Sequence, residues 1–498
     1  MIIVALGFIS FAHSLSRPLY SRNLISSIGY KSAFISFHSE KKKNIGHEVL
    51  FETIRNSSRD SGIRLYSSEV SKNNIDKNQS QSQSHTNKNP KSYKNHKRED
   101  NLLTNMNASE TNGNNRHAAV CAKLVPCNEE SLRSCAERLA KDESLVSFPT
   151  ETVYGLGCNA LAPKAIRKVF EAKRRPLTDP LIVHVLDMSS ALKLWDIVDE
   201  STKMVLMVLS KHFFPGPLTI VAKSNKDVVP DIITAGTGYV AVRSPSHPIA
   251  RQLIEYSGVP IAAPSANRFG HVSPTKSIHV MEDLALEDVW VVDETSNNNE
   301  TPCCNVGVES TVAKVDETNK LVSVLRQGAV SAKDIQICLN EAGLGEIYQV
   351  DVKVKSTSEQ VANIAPGQTV RHYSPDVISY MISEKTQQKL KTTDQLSTKI
   401  VSDVELNILK NAVILDFGGK LSYLNGISLA YRDLSIIGNS NEGASKVFDY
   451  LRWAEQVEGA GRVYFPEIAV NNKTDALTLA LKDRLTRAAS GIVLDEFK

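Results

Sequence analysis

The stretch LVSFPTETVYGLGCNALAPKAIRKVFEAKRRPLTDPLIVHV, residues 145–185, decides the fold class. It opens with LVSFPT, an apolar run that leads into a turn, and closes with PLIVHV, which is rich in β-branched residues; both are typical of buried strands. Between them, PKAIRKVFEAKRR begins with Pro163 at the first helical position and places Ile166, Val169 and Phe170 on one face. The stretch therefore predicts a strand, a helix and a strand in succession, the unit of an α/β sheet.

The same alternation continues on both sides of this stretch. Ahead of it, SLRSCAERLAKDES places Leu132, Cys135 and Leu139 at helical spacing. Behind it, PLTIVAK, YVAVR, VPIAAP and STVAKV predict strands, and SSALKLWDIV (189–198) and HPIARQLIEYSG (247–258) predict helices. We therefore predict an α/β domain over residues 118–339.

A second, smaller α/β pattern follows a predicted interdomain linker, residues 340–376. VISYMIS and NAVILDFGG have the composition of strands, and ASKVFDYLRWAEQ and DALTLALKDRLTRAAS have the spacing of amphipathic helices. Because strands that alternate with helices favour a parallel sheet, residues 377–498 are predicted to form a Rossmann-like α/β domain.

The N-terminal part of the chain differs in composition from the rest. An apolar start, MIIVALGFISFA, is followed by Arg17 and Arg22 among many serines, and no acidic residue comes before Glu40. Residues 1–66 thus have features of an organellar presequence, although a disordered extension explains them equally well. Residues 67–117 consist mainly of Asn, Ser, Lys and Gln and are predicted to be disordered, with weak RNA binding through the lysines as the alternative. We expect a cytoplasmic protein, and the presequence-like segment leaves a mitochondrion or plastid open.

Bulk composition excludes several classes of protein. The 498 residues allow roughly two to four domains. A net charge of +3 is too small to indicate a nucleic-acid-binding protein by itself, and no apolar run reaches the roughly 18 residues of a membrane span. The seven cysteines form no CxxC pair, which argues against a disulfide framework and a zinc ribbon and favours free thiols. Cys303 and Cys304 are interpreted as loop thiols.

The common nucleotide-binding motifs are missing. Gly419 and Lys420 follow a predicted strand, but Ile414 stands where a P-loop needs its first glycine. Gly236 and Gly238 lead into a strand and not into a helix, so they do not form a dinucleotide fingerprint. If the protein uses ATP, it binds the nucleotide with another architecture.

Taken singly, the polar residues between these elements have ordinary structural explanations. The basic cluster 173–175 closes a helix, where cations complement the helix dipole. Ser265 and Asn267 follow the strand VPIAA, where both residue types commonly cap or turn the chain. His184 lies within an apolar strand and is most simply a buried histidine with its hydrogen bonds satisfied.

Four segments change this interpretation when they are taken together. They are FPTETVYGLG (148–157), KRRP with DPLIVHV (173–185), APSANRFGHVSPT (263–275) and GVESTV (307–312). In this order they resemble the YrdC family, the threonylcarbamoyl-AMP synthases. The segment APGQTVRHYSP (365–375) resembles the linker of the family's two-domain long form. The resemblance is close over residues 124–374 and looser in the C-terminal domain, where LKDRLTRAAS carries it.

The resemblance implies a fold and an activity. The fold is a YrdC-like twisted open sheet with helices, followed by the smaller α/β domain. The activity is synthesis of L-threonylcarbamoyladenylate and pyrophosphate from L-threonine, bicarbonate or CO₂, and ATP, for threonylcarbamoyladenosine modification of tRNA. It implies Mg²⁺ with the ATP and a downstream tRNA threonylcarbamoyl transferase as partner, and no membrane. The alternative is a double-stranded RNA-binding or regulatory protein with a YrdC domain, which a basic groove would favour.

The resemblance also assigns roles to single residues. Lys173 and Arg175 match the family's KxR pair, which faces the triphosphate and stabilises the charge that develops during catalysis. The positions that match ATP contacts are Arg175, Asp179, Tyr239, Ser265, Asn267, Ser273, Arg326 and Tyr373. The positions that match threonine contacts are Thr152, His184, Arg243, Ala263 and Ser310, with Thr150 as a neighbouring candidate.

Two residues depart from the family pattern. Asp179 replaces a usual Asn, and its carboxylate would repel a triphosphate unless a cation intervenes, so direct and metal-mediated contact both stay open. Tyr239 replaces a commoner Thr, which is harmless if the contact there is through the backbone. No residue is assigned as a metal ligand. We further expect the linker to act as a lid that places Tyr373 over the ATP.

Overall fold

The computed structural model describes residues 122–141, 144–296, 303–353, 363–364, 373–391 and 403–497. The predicted presequence (1–66), the predicted disordered segment (67–117) and most of APGQTVRHYSP lie outside these residues. Within the part described, no helix combines the length and the apolarity that crossing a bilayer requires. All six described cysteines are free thiols.

A sheet of eleven strands forms the larger part of the molecule. In chain order the strands are β1 (Lys123–Pro126), β2 (Leu145–Phe148), β3 (Gly155–Asn159), β4 (Ile182–His184), β5 (Leu218–Lys223), β6 (Tyr239–Arg243), β7 (Ile261–Ala262), β8 (Val289–Asp293), β9 (Thr311–Asp316), β10 (Leu321–Arg326) and β11 (Gln349–Val352). They lie side by side in the order β1-β8-β2-β3-β7-β4-β6-β5-β9-β10-β11, so the sheet is open. The last strand comes from within the stretch predicted as linker.

Parallel and antiparallel pairs are mixed in this sheet. Antiparallel pairing surrounds the short strand β7, which lies between β3 and β4, whereas β4 and β6 are parallel. In the β4–β6 pair, His184 is in register with Arg243, so both strands end at the same point. The prediction of an α/β fold is confirmed, and this common strand end positions the site described below.

Eight helices cover the large sheet in the described residues. They are α1 (Glu129–Lys141), α2 (Pro163–Lys173), α3 (Met188–Leu192), α4 (Glu200–Phe213), α5 (Asp231–Thr234), α6 (Pro248–Ser257), α7 (Ser277–Leu284) and α8 (Ala332–Glu341). The helix predicted over residues 189–198 is wrong beyond Leu192. There Trp195 forms an isolated β-bridge with Ser224, and its indole donates to the Val240 carbonyl at 3.3 Å. These contacts to the sheet replace further helical turns.

A second sheet of five parallel strands lies in the C-terminal region. Its strands are β12 (Ser379–Ile382), β13 (Ala412–Asp416), β14 (Ala430–Asp433), β15 (Arg462–Pro466) and β16 (Val493–Leu494), in the order β14-β13-β15-β12-β16. Its helices are α9 (Glu384–Lys391), α10 (Asp403–Leu409), α11 (Ser440–Gln456) and α12 (Ala476–Ala488). The expected smaller α/β domain with a parallel sheet is thereby confirmed.

The two sheets are joined through a shared apolar core. Val272 and Val308 of the large region are buried in one cluster with Phe448 and Leu451 of α11. The contact is close at Gly307, where an added Cβ would lie 2.3 Å from the Cα of Ser445, and where φ is +72°. Only glycine fits this approach, so GVESTV sits directly against the C-terminal region.

Candidate active site

The predicted site residues converge on a small cavity at the shared end of β4 and β6. Eight of them line it: Thr152, Arg175, His184, Arg243, Ala263, Ser265, Ser310 and Arg326. Its volume is about 40 Å³. A larger cleft of about 350 Å³ beside Cys127 and Tyr256 contains none of the predicted residues. The shared strand end is therefore the candidate active site.

Arg243 organises the half of the cavity that is predicted to bind threonine. Its Nη1 donates to Thr152 Oγ1 at 2.9 Å, its Nε donates to the Gly216 carbonyl at 3.2 Å, and its Nη2 lies 2.6 Å from Glu151 Oε1. Although burial opposes ionisation, the Arg243 guanidinium holds the pKa of Glu151 below its ordinary value. Arg243 is thus a buried cation held in a fixed orientation, which suits the recognition of a carboxylate.

His184 lies beside this arginine in the structure. Burial, and after it the charge of Arg243, lowers the pKa of His184 to about 3. The imidazole is therefore neutral near pH 7 and can exchange a hydrogen bond with a neutral ligand group without adding charge.

Hydroxyl groups complete the same half. Ser310 Oγ lies 2.7 Å from Thr219 Oγ1 and accepts a hydrogen bond from Arg326 Nη2 at 3.1 Å. Thr150 and Thr152 share a contact of 2.9 Å between their hydroxyl oxygens. Thr150 thus touches a lining residue, although it does not line the cavity itself.

The basic cluster at the end of α2 does more than complement a helix dipole. Arg174 adopts the left-handed conformation at φ 52° and ends the helix, so that its neighbours on both sides turn inward while it stays exposed. The Lys173 ammonium is buried and donates to the Ser265 carbonyl at 2.5 Å and to the Asn267 carbonyl. Burial, and then the neighbouring Arg175, lowers the pKa of Lys173 well below its ordinary value. Lys173 thus holds the loop that carries the SxN pair.

Arg175 and Asp179 form a buried ion pair. Arg175 Nη2 lies 2.9 Å from Asp179 Oδ2, and the guanidinium also donates to the carbonyls of Asp179 at 3.0 Å and Pro180 at 2.8 Å. Burial raises the pKa of Asp179, and the charge of Arg175 opposes that rise. In this arrangement the unusual Asp179 partners an arginine of the site.

Asn267 and Ser273 follow Ser265 in the chain and do not line the cavity themselves. Asn267 donates from Nδ2 to the carbonyls of Arg268 and His271, while its buried Oδ1 has no hydrogen-bond partner among the described residues. Ser273 donates to Glu309 Oε1 at 2.5 Å. An acceptor at Asn267 is therefore available to a ligand, and Ser273 is oriented by a carboxylate.

Of the remaining predicted residues, Ala263 lines the cavity, whereas Tyr373 and Tyr239 do not line it. Ala263 closes its floor, 3.2 Å from where Gly155 would carry a Cβ. Tyr373 is buried at φ 61° and packs its ring 5.3 Å from that of Phe448. Tyr239 begins β6, four residues before Arg243 and roughly 13 Å away along the strand. The Lys314 ammonium lies 4.0 Å from the centroid of the Tyr239 ring.

Three buried residues of the site were missed by the sequence analysis. Glu151 pairs with Arg243, Glu309 lines the cavity, and Arg484 of α12 donates to Glu309 Oε2 at 3.0 Å. All three lie inside motifs that the sequence analysis quoted, FPTET, GVEST and LKDRLTRAAS. The signal that could have found them is a charged residue placed within an otherwise neutral motif.

A possible metal site lies outside this cavity. Among the described residues, His271, Asp376 and Glu455 bring three possible ligand atoms within 4.8 Å of one another. Both ring nitrogens of His271 already contact carboxylates, Nδ1 that of Asp283 at 2.9 Å and Nε2 that of Glu455 at 3.1 Å. A metal there would have to displace a proton that these carboxylates stabilise, so we interpret the group as an ion-pair cluster.

Comparisons with known proteins agree with this geometry. The Sua5/YciO/YrdC family model, described as telomere recombination, matches residues 138–328, and a model described as threonylcarbamoyl-AMP synthase, C-terminal domain, matches residues 330–490. The threonylcarbamoyl-AMP synthase of Pyrococcus abyssi is 40% identical over 259 residues, which cover 52% of this chain and 70% of the relative. That of Bacillus subtilis is 40% identical over 240 residues, covering 48% of this chain and 63% of the relative.

A solved structure extends the likeness to the fold. The crystal structure of P. abyssi Sua5 complexed with L-threonine superposes with a TM-score of 0.61 at 31% identity, and covers 75% of this chain and 98% of that chain. Both sheets, the cavity with its arginines and the two consecutive family models thus lead to one conclusion: the chain belongs to the threonylcarbamoyl-AMP synthase family, in the form that has a second, C-terminal domain.

Proposed function

We propose that this protein synthesises L-threonylcarbamoyladenylate from L-threonine, bicarbonate or CO₂, and ATP, with release of pyrophosphate. One observation carries the proposal: three buried arginines, Arg175, Arg243 and Arg326, line the same cavity in a member of this family. Such a cavity can bring an amino acid and a nucleotide within reacting distance.

The threonine half is proposed to bind the amino acid through its carboxylate and its polar groups. Arg243 receives the carboxylate, and the hydroxyls of Thr152 and Ser310 receive the polar groups of the substrate. His184, being neutral, contributes a hydrogen bond without repelling the threonine ammonium or attracting its carboxylate. Ala263 gives the floor a small surface that the substrate can approach closely.

The reaction is proposed to proceed in two steps. The threonine amine adds to CO₂ or displaces water from bicarbonate, which forms a carbamate. A carbamate oxygen then attacks the α-phosphorus of ATP, the bond from that phosphorus to the bridging oxygen breaks, and pyrophosphate leaves. No enzyme nucleophile is needed, so the residues contribute position and charge stabilisation.

Charge stabilisation falls to the second half of the cavity. Arg175 and Arg326 are proposed to face the phosphoryl oxygens, where negative charge spreads during displacement. Lys173 supports them by holding the loop of Ser265 and Asn267, and the free Asn267 Oδ1 accepts from the nucleotide. Ser273, Asp179, Tyr239 and Tyr373 are proposed as further positions around the ATP, with Asp179 acting through Arg175.

Magnesium is proposed to enter with the ATP and not to occupy a site of its own. The three carboxylates described here, those of Glu151, Asp179 and Glu309, already contact Arg243, Arg175 and Arg484. Mg²⁺ prefers phosphate oxygens and waters over a cage built only of protein groups, so the triphosphate can carry it.

The product is a mixed anhydride, which water destroys, so exclusion of water is part of the proposed function. The linker would provide it by placing Tyr373 over the nucleotide, and a downstream transferase would then pass the threonylcarbamoyl group to tRNA. The described residues do not favour the double-stranded RNA-binding alternative, because the arginines that line the cavity are buried and do not form an open basic surface.

Exchange of labelled pyrophosphate into ATP tests this proposal. The full chain should catalyse exchange only when L-threonine and bicarbonate are both present, because the reverse reaction needs the adenylate. Exchange that proceeds without threonine, or no exchange under any condition, would remove the proposed activity. Serine in place of threonine serves as the control for selectivity.

A further inference from the structure

A fully buried arginine of the C-terminal region reaches the active site of the large region. The Arg484 guanidinium on α12 is 0% exposed. It donates from Nε to Glu309 Oε2 at 3.0 Å, from Nη2 to the Glu309 carbonyl at 3.4 Å and from Nη1 to the Gln327 carbonyl at 2.8 Å. One side chain thus fixes both the side chain and the backbone of Glu309 from the other side of the domain contact.

Glu309 connects Arg484 to the cavity. Its Oε2 faces Arg484, while its Oε1 accepts the hydroxyl of Ser273 at 2.5 Å, and the residue lines the cavity. A carboxylate beside a triphosphate is repulsive unless a cation balances it, and a buried carboxylate without a partner is costly. Arg484 supplies that balance and sets the position at which the Ser273 hydroxyl is held.

The same guanidinium also contacts the linker. Its central carbon lies 5.2 Å from the ring centroid of Tyr373, within the range of a cation–π contact. A second neighbour of that ring is Phe448 of α11, with ring centroids 5.3 Å apart. Two side chains of the C-terminal region, an arginine and a phenylalanine, thus contact Tyr373.

We propose that Arg484 is a positioning residue of the ATP half of the active site, so that the C-terminal domain completes this site through Glu309, Ser273 and Tyr373. The inference rests on the proposed function and deepens it. The C-terminal domain would thus take part in nucleotide binding but not in threonine recognition. In the described hydrogen bonds and ion pairs, Arg243 and Thr152 make no contact with α12.

Arg452 provides a matched control for simple anchoring of the two domains. It lies on α11, is 1% exposed, and reaches across the same domain contact to Asp283 at 3.0 Å, Glu282 at 3.2 Å and the Val272 carbonyl at 2.6 Å. It therefore anchors the segment next to Ser273, but its contacts are to other residues than Glu309 and Tyr373. The Arg452→Met variant therefore shows how much stability is lost when a buried arginine is removed from the contact between the domains.

The experiment compares Arg484→Met, Arg484→Lys, Arg452→Met and Glu309→Gln in the full chain. It measures KM for ATP and for threonine, the Kd for ATP by calorimetry, and the melting temperature. For Arg484→Met we expect the KM and Kd for ATP to rise about tenfold or more, with the KM for threonine within about twofold of wild type. Arg484→Lys should recover part of the affinity, and Arg452→Met should lower the melting temperature without this selective effect on ATP.

The inference is overturned if Arg484→Met and Arg452→Met change both KM values alike, or if neither changes the affinity for ATP. Should Arg484→Met fail to fold, Glu309→Gln decides, because it keeps the shape and removes the charge; unchanged ATP affinity in that variant overturns the inference equally. An inactive wild-type chain would instead refute the proposed function, and the calorimetric Kd for ATP would still test the role of Arg484.

Discussion

At the scale of the residue, the site is organised by pairing each of its buried carboxylates with an arginine. Glu151, Asp179 and Glu309 are buried acids in or beside a cavity proposed to bind two anions, which would be a conflict if these acids had no partner. The structure resolves it, because each acid lies against an arginine and fixes that arginine in place. The residues in the KxR and SxN motifs could be named from the sequence, whereas their partners could not, because ion pairs form between segments far apart in the chain.

Substitution of the cluster 173–175 tests these roles one residue at a time. Arg175→Ala should lower turnover by about 10²–10³-fold, the usual effect of losing one preorganised charge-stabilising donor. Lys173→Ala should lower it by a similar factor, because the loop of Ser265 and Asn267 loses its anchor. Arg174→Gly is the control, since Arg174 is exposed and its left-handed conformation suits glycine, so its activity should stay within about twofold. Steady-state pyrophosphate release measures all three variants. Pyrophosphate release near that of the wild type in both Lys173→Ala and Arg175→Ala would mean that the cluster only ends a helix.

At the scale of the element, hydrophobic spacing was a good guide wherever a segment is long and periodic. The spacing in α1, α2, α6 and α12 predicted those helices because one face of each is buried against a sheet. It failed for residues 193–198, where tertiary contacts of Trp195 override helical spacing. It also missed β11, because QVDV is short, half polar and paired on one side only. Strand order could not be predicted, since it depends on pairing between distant segments.

One contact between elements should make stability depend on pH. His271 lies between Asp283 of α7 and Glu455 of α11, with Arg452 next to Asp283 and the Asp376 amide donating to Glu455. Burial opposes protonation, but hydrogen bonds to the two carboxylates raise the pKa of His271 from 6.5 to about 9. The protonated form is therefore favoured in the folded state, and its contribution to stability is complete below pH 6.5 and is lost as the pH rises through 9.

His271→Asn should abolish this dependence. The wild type should lose up to about 3 kcal/mol of unfolding free energy between pH 6.5 and 9 relative to the variant. Urea unfolding at several pH values measures the difference, and His212→Asn, which removes an exposed histidine, is the control. If the free energy of unfolding changed with pH in the same way for the wild type and for His271→Asn, His271 would not be protonated between the two carboxylates.

At the scale of the whole molecule, activity should reside in residues 118–498. The segment 1–117 has neither a core-forming pattern nor a family motif, so its deletion should leave turnover within about twofold of the full chain. The control deletion, of residues 1–141, also removes β1 and α1, whose Leu132, Cys135 and Leu139 are buried in the core, and it should destabilise the protein. Turnover and the melting temperature are measured for both deletion variants. Loss of activity on removing 1–117 alone would contradict this division.

Targeting is a separate question at the same scale. A fluorescent protein fused to residues 1–66 distinguishes the cytoplasmic expectation from the organellar alternative by where the signal accumulates. Diffuse fluorescence would support a cytoplasmic location and exclude a presequence in residues 1–66. Fluorescence confined to mitochondria or plastids would support the organellar location.

The central claim is the identity of the product, and direct product analysis tests it. The full chain is incubated with ATP, isotopically labelled bicarbonate and L-threonine, quenched rapidly because the anhydride hydrolyses, and separated by chromatography with mass detection. We expect label in threonylcarbamoyl-AMP, with one pyrophosphate released for each adduct formed and no adduct when threonine is omitted. Consumption of ATP without a labelled adduct, or labelling that does not depend on threonine, would contradict it.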